Sequence, residues 1–196
     1  RLAPEHPFPA APEDCYTALC QIVDLSGELN IDIERLAVMG DSAGGNLATV
    51  VCLMSRDRGG PKICHQLLIY PACDIDPERW PSTKENASGY LLTDEMMRWF
   101  YRHYVGAEIF VDEPYASPIR ANDLSGLPSA QIITAEFDPL RDEGEGYAQA
   151  LSDAGVPTYY ECVPGLIHGF LGFAEMIPEA KEARNAACQR LVAALG

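Results

Sequence analysis

The sequence predicts an α/β protein with an open, mostly parallel, twisted sheet and helices on both faces. Three observations lead there. Short runs rich in β-branched residues alternate with helical stretches, the pattern of successive βαβ units. Glycine and proline close the helical stretches, as at Gly59-Gly60-Pro61 and Gly155. Hydrophobic residues make up 47% and charged residues 22% of 196 positions, which suits one domain with a sizeable core and argues against disorder.

The elements follow in chain order. Arg1 to Pro12 is proline-rich and reads as an irregular loop. Pro12 to Leu29 carries helical spacing through Ala18, Leu19, Ile22, Val23 and Leu25. Leu36 to Met39 is a short buried strand. Gly44 to Arg58 is a helix with Leu47, Val50, Val51 and Met54 on one face. Gln66 to Tyr70 is the second strand, and Pro71 to Thr93 a long excursion. Thr93 is placed to cap a helix over Asp94 to Tyr104. Ala130 to Ala135 is a strand, Glu143 to Ala154 a helix, Thr158 to Val163 the last strand, and Pro178 to Leu195 an amphipathic closing helix. Right-handed crossovers then put the site beyond the carboxyl ends of the strands, in loops beginning at Gly40, Ala135 and Val163. No repeat or linker divides the chain, so residues 1–196 are read as one domain.

Composition excludes several classes. A net charge of −15 sets the surface against phosphate backbones and anionic lipid, so no nucleic-acid partner is expected. No apolar run approaches the length of a membrane span. The seven cysteines include no Cys-x-x-Cys pair, which argues against a zinc ribbon or a thioredoxin-like motif. An odd number of thiols, several in apolar segments, favours a reducing, cytoplasmic setting. Asn86-Ala87-Ser88 is a formal glycosylation sequon with no leader to support it. The opening Arg1-Leu2-Ala3-Pro4 reads as an internal start.

The chemistry centres on Gly40-Asp41-Ser42-Ala43-Gly44, set between a predicted strand and a predicted helix. This is the pattern of a nucleophile turn, in which a serine sits on a strained bend and glycines let the backbone pass close by. The amide of Ala43 then faces the oxygen that becomes negative in acyl transfer, helped by the helix N-terminus. Composition alone yields the pentapeptide roughly 0.06 times in such a chain, so its setting carries the weight. A phosphate loop would need a lysine that is absent, and a dinucleotide fingerprint would need glycine where Ser42 stands.

A serine nucleophile needs a base, and the base needs a carboxylate. Of four histidines, His6 lies in the opening loop, His65 at the wrong end of a strand and His103 within a helix. Only His168, in Gly165-Leu166-Ile167-His168-Gly169-Phe170, follows a strand at its carboxyl end. Asp138 stands nearest the end of the preceding strand, whereas Asp142 and Glu143 read as N-terminal charges of the next helix. The order Ser42, Asp138, His168 is that of α/β-hydrolases. Candidate pocket-wall residues are Tyr90, Leu91, Leu92, Trp99 and Phe100, with Ile167 and Phe170 best placed because they flank His168.

Several long motifs resemble the hormone-sensitive-lipase family of esterases: Arg1-Leu2-Ala3-Pro4-Glu5-His6-Pro7-Phe8-Pro9-Ala10, Gly40 to Ala48, Asp138-Pro139-Leu140-Arg141-Asp142-Glu143-Gly144 and His168-Gly169-Phe170. The resemblance implies the α/β-hydrolase fold, Ser42 as nucleophile, Asp138 as orienter and His168 as base. It implies a small-molecule ester substrate with a short to medium acyl chain, and no metal or cofactor. Amide deacetylation and a non-catalytic receptor role are the alternatives it carries, although the receptors of this type lack the histidine. It also implies that this chain is the C-terminal portion of a catalytic domain, without the family's upstream His-Gly-Gly-Gly-type loop, first strands and cap. A lost oxyanion donor costs about 2.7–4 kcal/mol of transition-state stabilisation, and lost central strands expose a parallel sheet, so weak turnover and weak folding are expected of these residues alone. The strand Thr158–Val163 is the expected edge for a homodimer, as in some family members.

Overall fold

The computed structural model describes residues 1–106 and 112–196. Among the described residues, four strands form one parallel sheet in the order β1-β2-β3-β4: β1 (Ala37–Asp41), β2 (His65–Ile69), β3 (Ser129–Phe137) and β4 (Thr158–Ile167). The helices are α1 (Ala10–Asp24), α2 (Ser26–Leu29), α3 (Ala43–Arg58), α4 (Pro81–Glu85), α5 (Asp94–Val105), α6 (Arg141–Asp153) and α7 (Pro178–Leu195).

Strand residues alternate between two cores, as the pleat requires. Leu68, Ala130 and Ile132 meet Leu19 of α1, Val51 and Leu53 of α3, and Tyr147 and Leu151 of α6. Leu67, Ile69, Ile133 and Ala135 point the other way, onto Ala180, Ala183 and Ala187 of α7. The alanine stripe brings that helix close to the sheet. The expected α/β architecture, with helices on both faces, is therefore present.

The local signals act as anticipated. Gly59 adopts the left-handed conformation (φ 61°) and ends α3. The Thr93 side chain accepts a hydrogen bond from the Met96 amide and starts α5. The strand ends differ from expectation. β1 runs on through Gly40 and Asp41, which pair with Leu68 and Ile69. β3 and β4 continue to Phe137 and Ile167, which pair beyond a register shift. Neighbouring strands supply hydrogen-bond partners that extend each ladder beyond the expected ends. The site loops therefore begin at Ser42, Asp138 and His168 themselves. The first predicted helix is divided at Leu25 into α1 and α2, and the excursion after β2 contains α4.

Candidate active site

Ser42 stands between the last residue of β1 and the first of α3, with φ 54° and ψ −121°. Such a backbone is strained for serine and persists only where its surroundings over-determine it. They do so from several directions. The Ser42 amide donates to the Ile69 carbonyl at 2.9 Å, and its carbonyl accepts from the amides of Asn46 and Ala72 at 3.1 and 3.2 Å. The buried Asn46 side chain donates to the carbonyls of Ala72 and Ala116, tying the excursion to the same helix turn.

The glycines around Ser42 are not equivalent. A Cβ on Gly40 would lie 2.1 Å from the Gly44 carbonyl oxygen, and one on Gly45 would lie 2.8 Å from the Pro71 Cβ. Neither fits. A Cβ on Gly44 would meet nothing closer than an Asp41 carboxylate oxygen at 3.9 Å. The close packing thus belongs to Gly40 and Gly45 and not to both motif glycines. Ala43 opens α3, where the first amides have no acceptor within the helix and the dipole is positive.

His168 follows β4 directly. Its Nε2 lies 2.9 Å from the Ser42 Oγ, and its Nδ1 lies 2.7 Å from the Asp138 Oδ2. Asp138 is fully buried, and its other oxygen accepts from the Leu140 amide at 2.9 Å. The Asp138 carbonyl accepts from Arg141 and from the Asn86 side chain. Three residues far apart in the chain thus form one continuous hydrogen-bonded line. His65 instead sits at the opposite end of the sheet, with Nδ1 against the Ser129 hydroxyl, and His103 packs its ring on Trp99.

A cavity of about 560 Å³ opens beside Ser42 and His168. Its walls include Leu47, Ile75, Leu92, Met97, Phe100 and Leu140. Of the wall residues anticipated, Leu91, Leu92 and Phe100 line it. Ile167 and Phe170 are absent from its lining. Phe170 is buried in the core behind His168 against Tyr70, and Ile167 is half-buried in the last pair of β4. Flanking His168 in sequence sends both away from the cavity, because the chain there is still strand and then a tight turn. Tyr90 stacks on Phe137, and Trp99 is half exposed beside Phe100.

Glu143 was not foreseen in its actual role. Although it lies in the first turn of α6, it is fully buried, and its Oε1 accepts from the amides of Cys73 and Asp74 at 2.6 and 3.3 Å. Burial pushes its carboxyl well above the ordinary range. Asp142, its neighbour, accepts from the Ser82 amide and thereby secures the start of α4. Only an acid pair at a helix start was visible in the sequence. Which acid turns inward depends on the loop after β2.

A parallel sheet with a serine on a strained strand-to-helix turn, a histidine after a later strand and a cavity between them is the architecture of an α/β-hydrolase. Comparison with known proteins agrees. The family model Abhydrolase_3, described as alpha/beta hydrolase fold, matches residues 1–172. The chain belongs to this family, the hormone-sensitive-lipase type of α/β-hydrolase. Esterase LipI of Mycobacterium tuberculosis is 44% identical over 187 residues, covering 94% of this chain and 58% of LipI. The crystal structure of EstE1, a thermostable carboxylesterase from a metagenomic library, superposes with a TM-score of 0.96 at 41% identity, covering all of this chain and 67% of that one. A hyperthermophilic esterase from Pyrobaculum calidifontis gives a TM-score of 0.94 at 45% identity, with 63% of its chain covered. The chain thus spans about three fifths of the length of the curated relatives it matches. Among the described residues, no helix is long and apolar enough to cross a membrane.

Proposed function

We propose that the protein is a serine hydrolase of carboxylic esters, with Ser42 as nucleophile, His168 as general base and acid, and Asp138 as the carboxylate that orients it. The observation that carries this reading is the line Ser42 Oγ–His168 Nε2–Nδ1–Asp138 Oδ2, at 2.9 and 2.7 Å, ending at an apolar cavity. Such a line delivers a proton from serine to imidazole as the hydroxyl oxygen attacks.

In the first half-reaction the Ser42 oxygen bonds to the ester carbonyl carbon while His168 takes the hydroxyl proton. The Ala43 amide donates to the resulting oxyanion. The tetrahedral intermediate collapses, the carbon–alkoxy bond breaks, and His168 returns the proton to the departing alcohol. Water then attacks the acyl-serine, giving its proton to His168, and Ser42 leaves with that proton restored. Asp138 holds the Nδ1 proton throughout and stabilises the imidazolium. The route uses no metal or cofactor.

The cavity volume lies within the range of small-molecule sites, about 300–1,000 Å³. Its aliphatic and aromatic walls suit an acyl chain of short to medium length. Seven free thiols support a reducing, cytoplasmic compartment. The edge position of β4 among the described residues supports a homodimer formed by pairing of that strand with a second copy.

Labelling with a fluorophosphonate probe tests the nucleophile. Covalent labelling of the wild-type protein that disappears in Ser42→Ala is expected, and labelling that persists in the variant would overturn the assignment. A series of p-nitrophenyl esters of rising chain length, run beside an arylacetamide, tests the substrate class. A peak at short to medium acyl length is expected, and faster cleavage of the amide would replace the ester reading.

A further inference from the structure

Tyr70 follows β2 directly and is a non-glycine residue with positive φ (37°), a conformation that a tyrosine adopts only under constraint. Its amide still donates to the Ile133 carbonyl at 2.6 Å, so the sheet ladder holds the backbone up to this residue. The ring is 1% exposed and packs between two others. The His168 imidazole lies 4.7 Å away, centroid to centroid, at an interplanar angle of 57°. The Phe170 ring lies 5.1 Å away at 79°. The Tyr70 hydroxyl donates to the Asp41 Oδ2 at 3.5 Å, on the residue just before Ser42.

We infer that Tyr70 is a positioning residue for His168. This rests on the triad reading above and adds a fourth member to it. Two hydrogen bonds, from Nδ1 to Asp138 and from Nε2 to Ser42, fix the two ends of the imidazole. They fix the two nitrogens and leave the tilt of the ring plane to its packing neighbours. A flat neighbour against the ring sets that tilt and keeps the Nε2 lone pair aimed at the Ser42 oxygen. Misplacement of a reacting group costs up to on the order of 100-fold in rate. The Tyr70 centroid also lies 4.7 Å from that of the imidazole, which becomes cationic in each proton transfer, a separation at which a ring attracts a cation. Phe170 packs edge-on against Tyr70, which accounts for an aromatic residue two places after His168 that lies outside the cavity. The strained turn is the structural cost of bringing a residue from the end of β2 beneath a side chain from the end of β4.

The test compares Tyr70→Phe, Tyr70→Leu and Tyr70→Met with wild type. Phenylalanine keeps the ring and loses the hydroxyl's contacts with Asp41 and the Leu171 backbone, whereas leucine and methionine fill the space without a flat face. Three readouts are taken: kcat and KM with p-nitrophenyl acetate, the melting temperature, and the low-field proton resonance of the His168 Nδ1–H. For leucine or methionine, kcat is expected to fall about 10- to 100-fold with KM within about twofold. The low-field resonance is expected to broaden or vanish. Phenylalanine is expected to retain the resonance and to stay within about threefold of wild-type kcat. A role in stability alone would lower the melting temperature and leave the kcat of the folded fraction and the resonance in place, which overturns the inference. Equal damage from phenylalanine and leucine would also overturn it, since the hydroxyl and not the ring would then matter. If leucine does not fold, methionine carries the same comparison. Failure of wild type to label or turn over refutes the triad reading instead, and the resonance still reports whether Tyr70 holds the imidazole.

Discussion

β1 and β2 lie side by side, each five residues long, yet every residue of β2 is buried and no residue of β1 is. Leu67 and Met39 are register partners, and they are 1% and 60% exposed. β2 has strands on both sides, whereas β1 has a strand partner on one side only among the described residues. Parallel strands ordinarily have both faces and both neighbours covered. The serine nevertheless projects from β1. Its geometry therefore comes from the turn and from the β2 side, through Ile69, Ala72 and the first turn of α3, and not from burial of its own strand.

The largest expected effect is at that turn. Gly40→Ala pushes a methyl group into the Gly44 carbonyl, and neither piece of backbone has room to yield. A loss of about 4 kcal/mol or more is expected, in the range reserved for gross steric conflict. Gly44→Ala in the same motif should be tolerated or raise helix stability by up to about 1 kcal/mol. Chemical denaturation of the pair measures the contrast. Equal tolerance at both positions would mean that the turn does not hold β1 as described.

Next in size is the register pair itself. Leu67→Ala is expected to cost about 2–5 kcal/mol, as for a buried aliphatic side chain. Met39→Ala should stay within about 0.5 kcal/mol, as for exposed positions. Midpoint shifts at constant denaturant slope would report both. A large loss at Met39 would show that β1 is covered in solution.

The smallest effect concerns the buried carboxyl behind β2. Glu143 has a folded-state pKa raised above its ordinary 4.5, chiefly by burial, so the fold favours its protonated form. Its contribution to stability is complete below that ordinary value and is lost as pH rises through the folded value. Glu143→Gln has no proton to lose. The melting temperature of the variant relative to wild type should therefore climb as pH rises above the ordinary carboxyl value. A flat or falling difference would contradict the assignment.

Much of the site was legible in the sequence because its signals are local. A serine between glycines at a strand-to-helix junction, an aspartate after a strand and a histidine before glycine each declare themselves within a few residues. The structure brings Ser42, Asp138 and His168 into one line. The cavity wall was only partly legible. Leu91, Leu92 and Phe100 were found from their apolar character, whereas proximity to His168 in sequence misdirected attention to Ile167 and Phe170. Sequence neighbours of a strand-end residue point to alternate faces of the sheet, so adjacency along the chain is a poor guide to adjacency in a pocket.

By itself the sequence determined the alternation of strands and helices, their stops and caps, and the chain order of the candidate catalytic side chains. These depend on backbone preferences and on spacing of apolar residues, which act over a turn or two of chain. The tertiary structure decided how far each strand runs, because a ladder continues for as long as its neighbour offers partners. It decided that Glu143 turns inward to the amides of Cys73 and Asp74, seventy residues away along the chain from the first of these. It also decided that a tyrosine takes a strained conformation beneath His168. A positive φ at tyrosine leaves no mark in sequence, since the packing that enforces it comes from the ends of other strands.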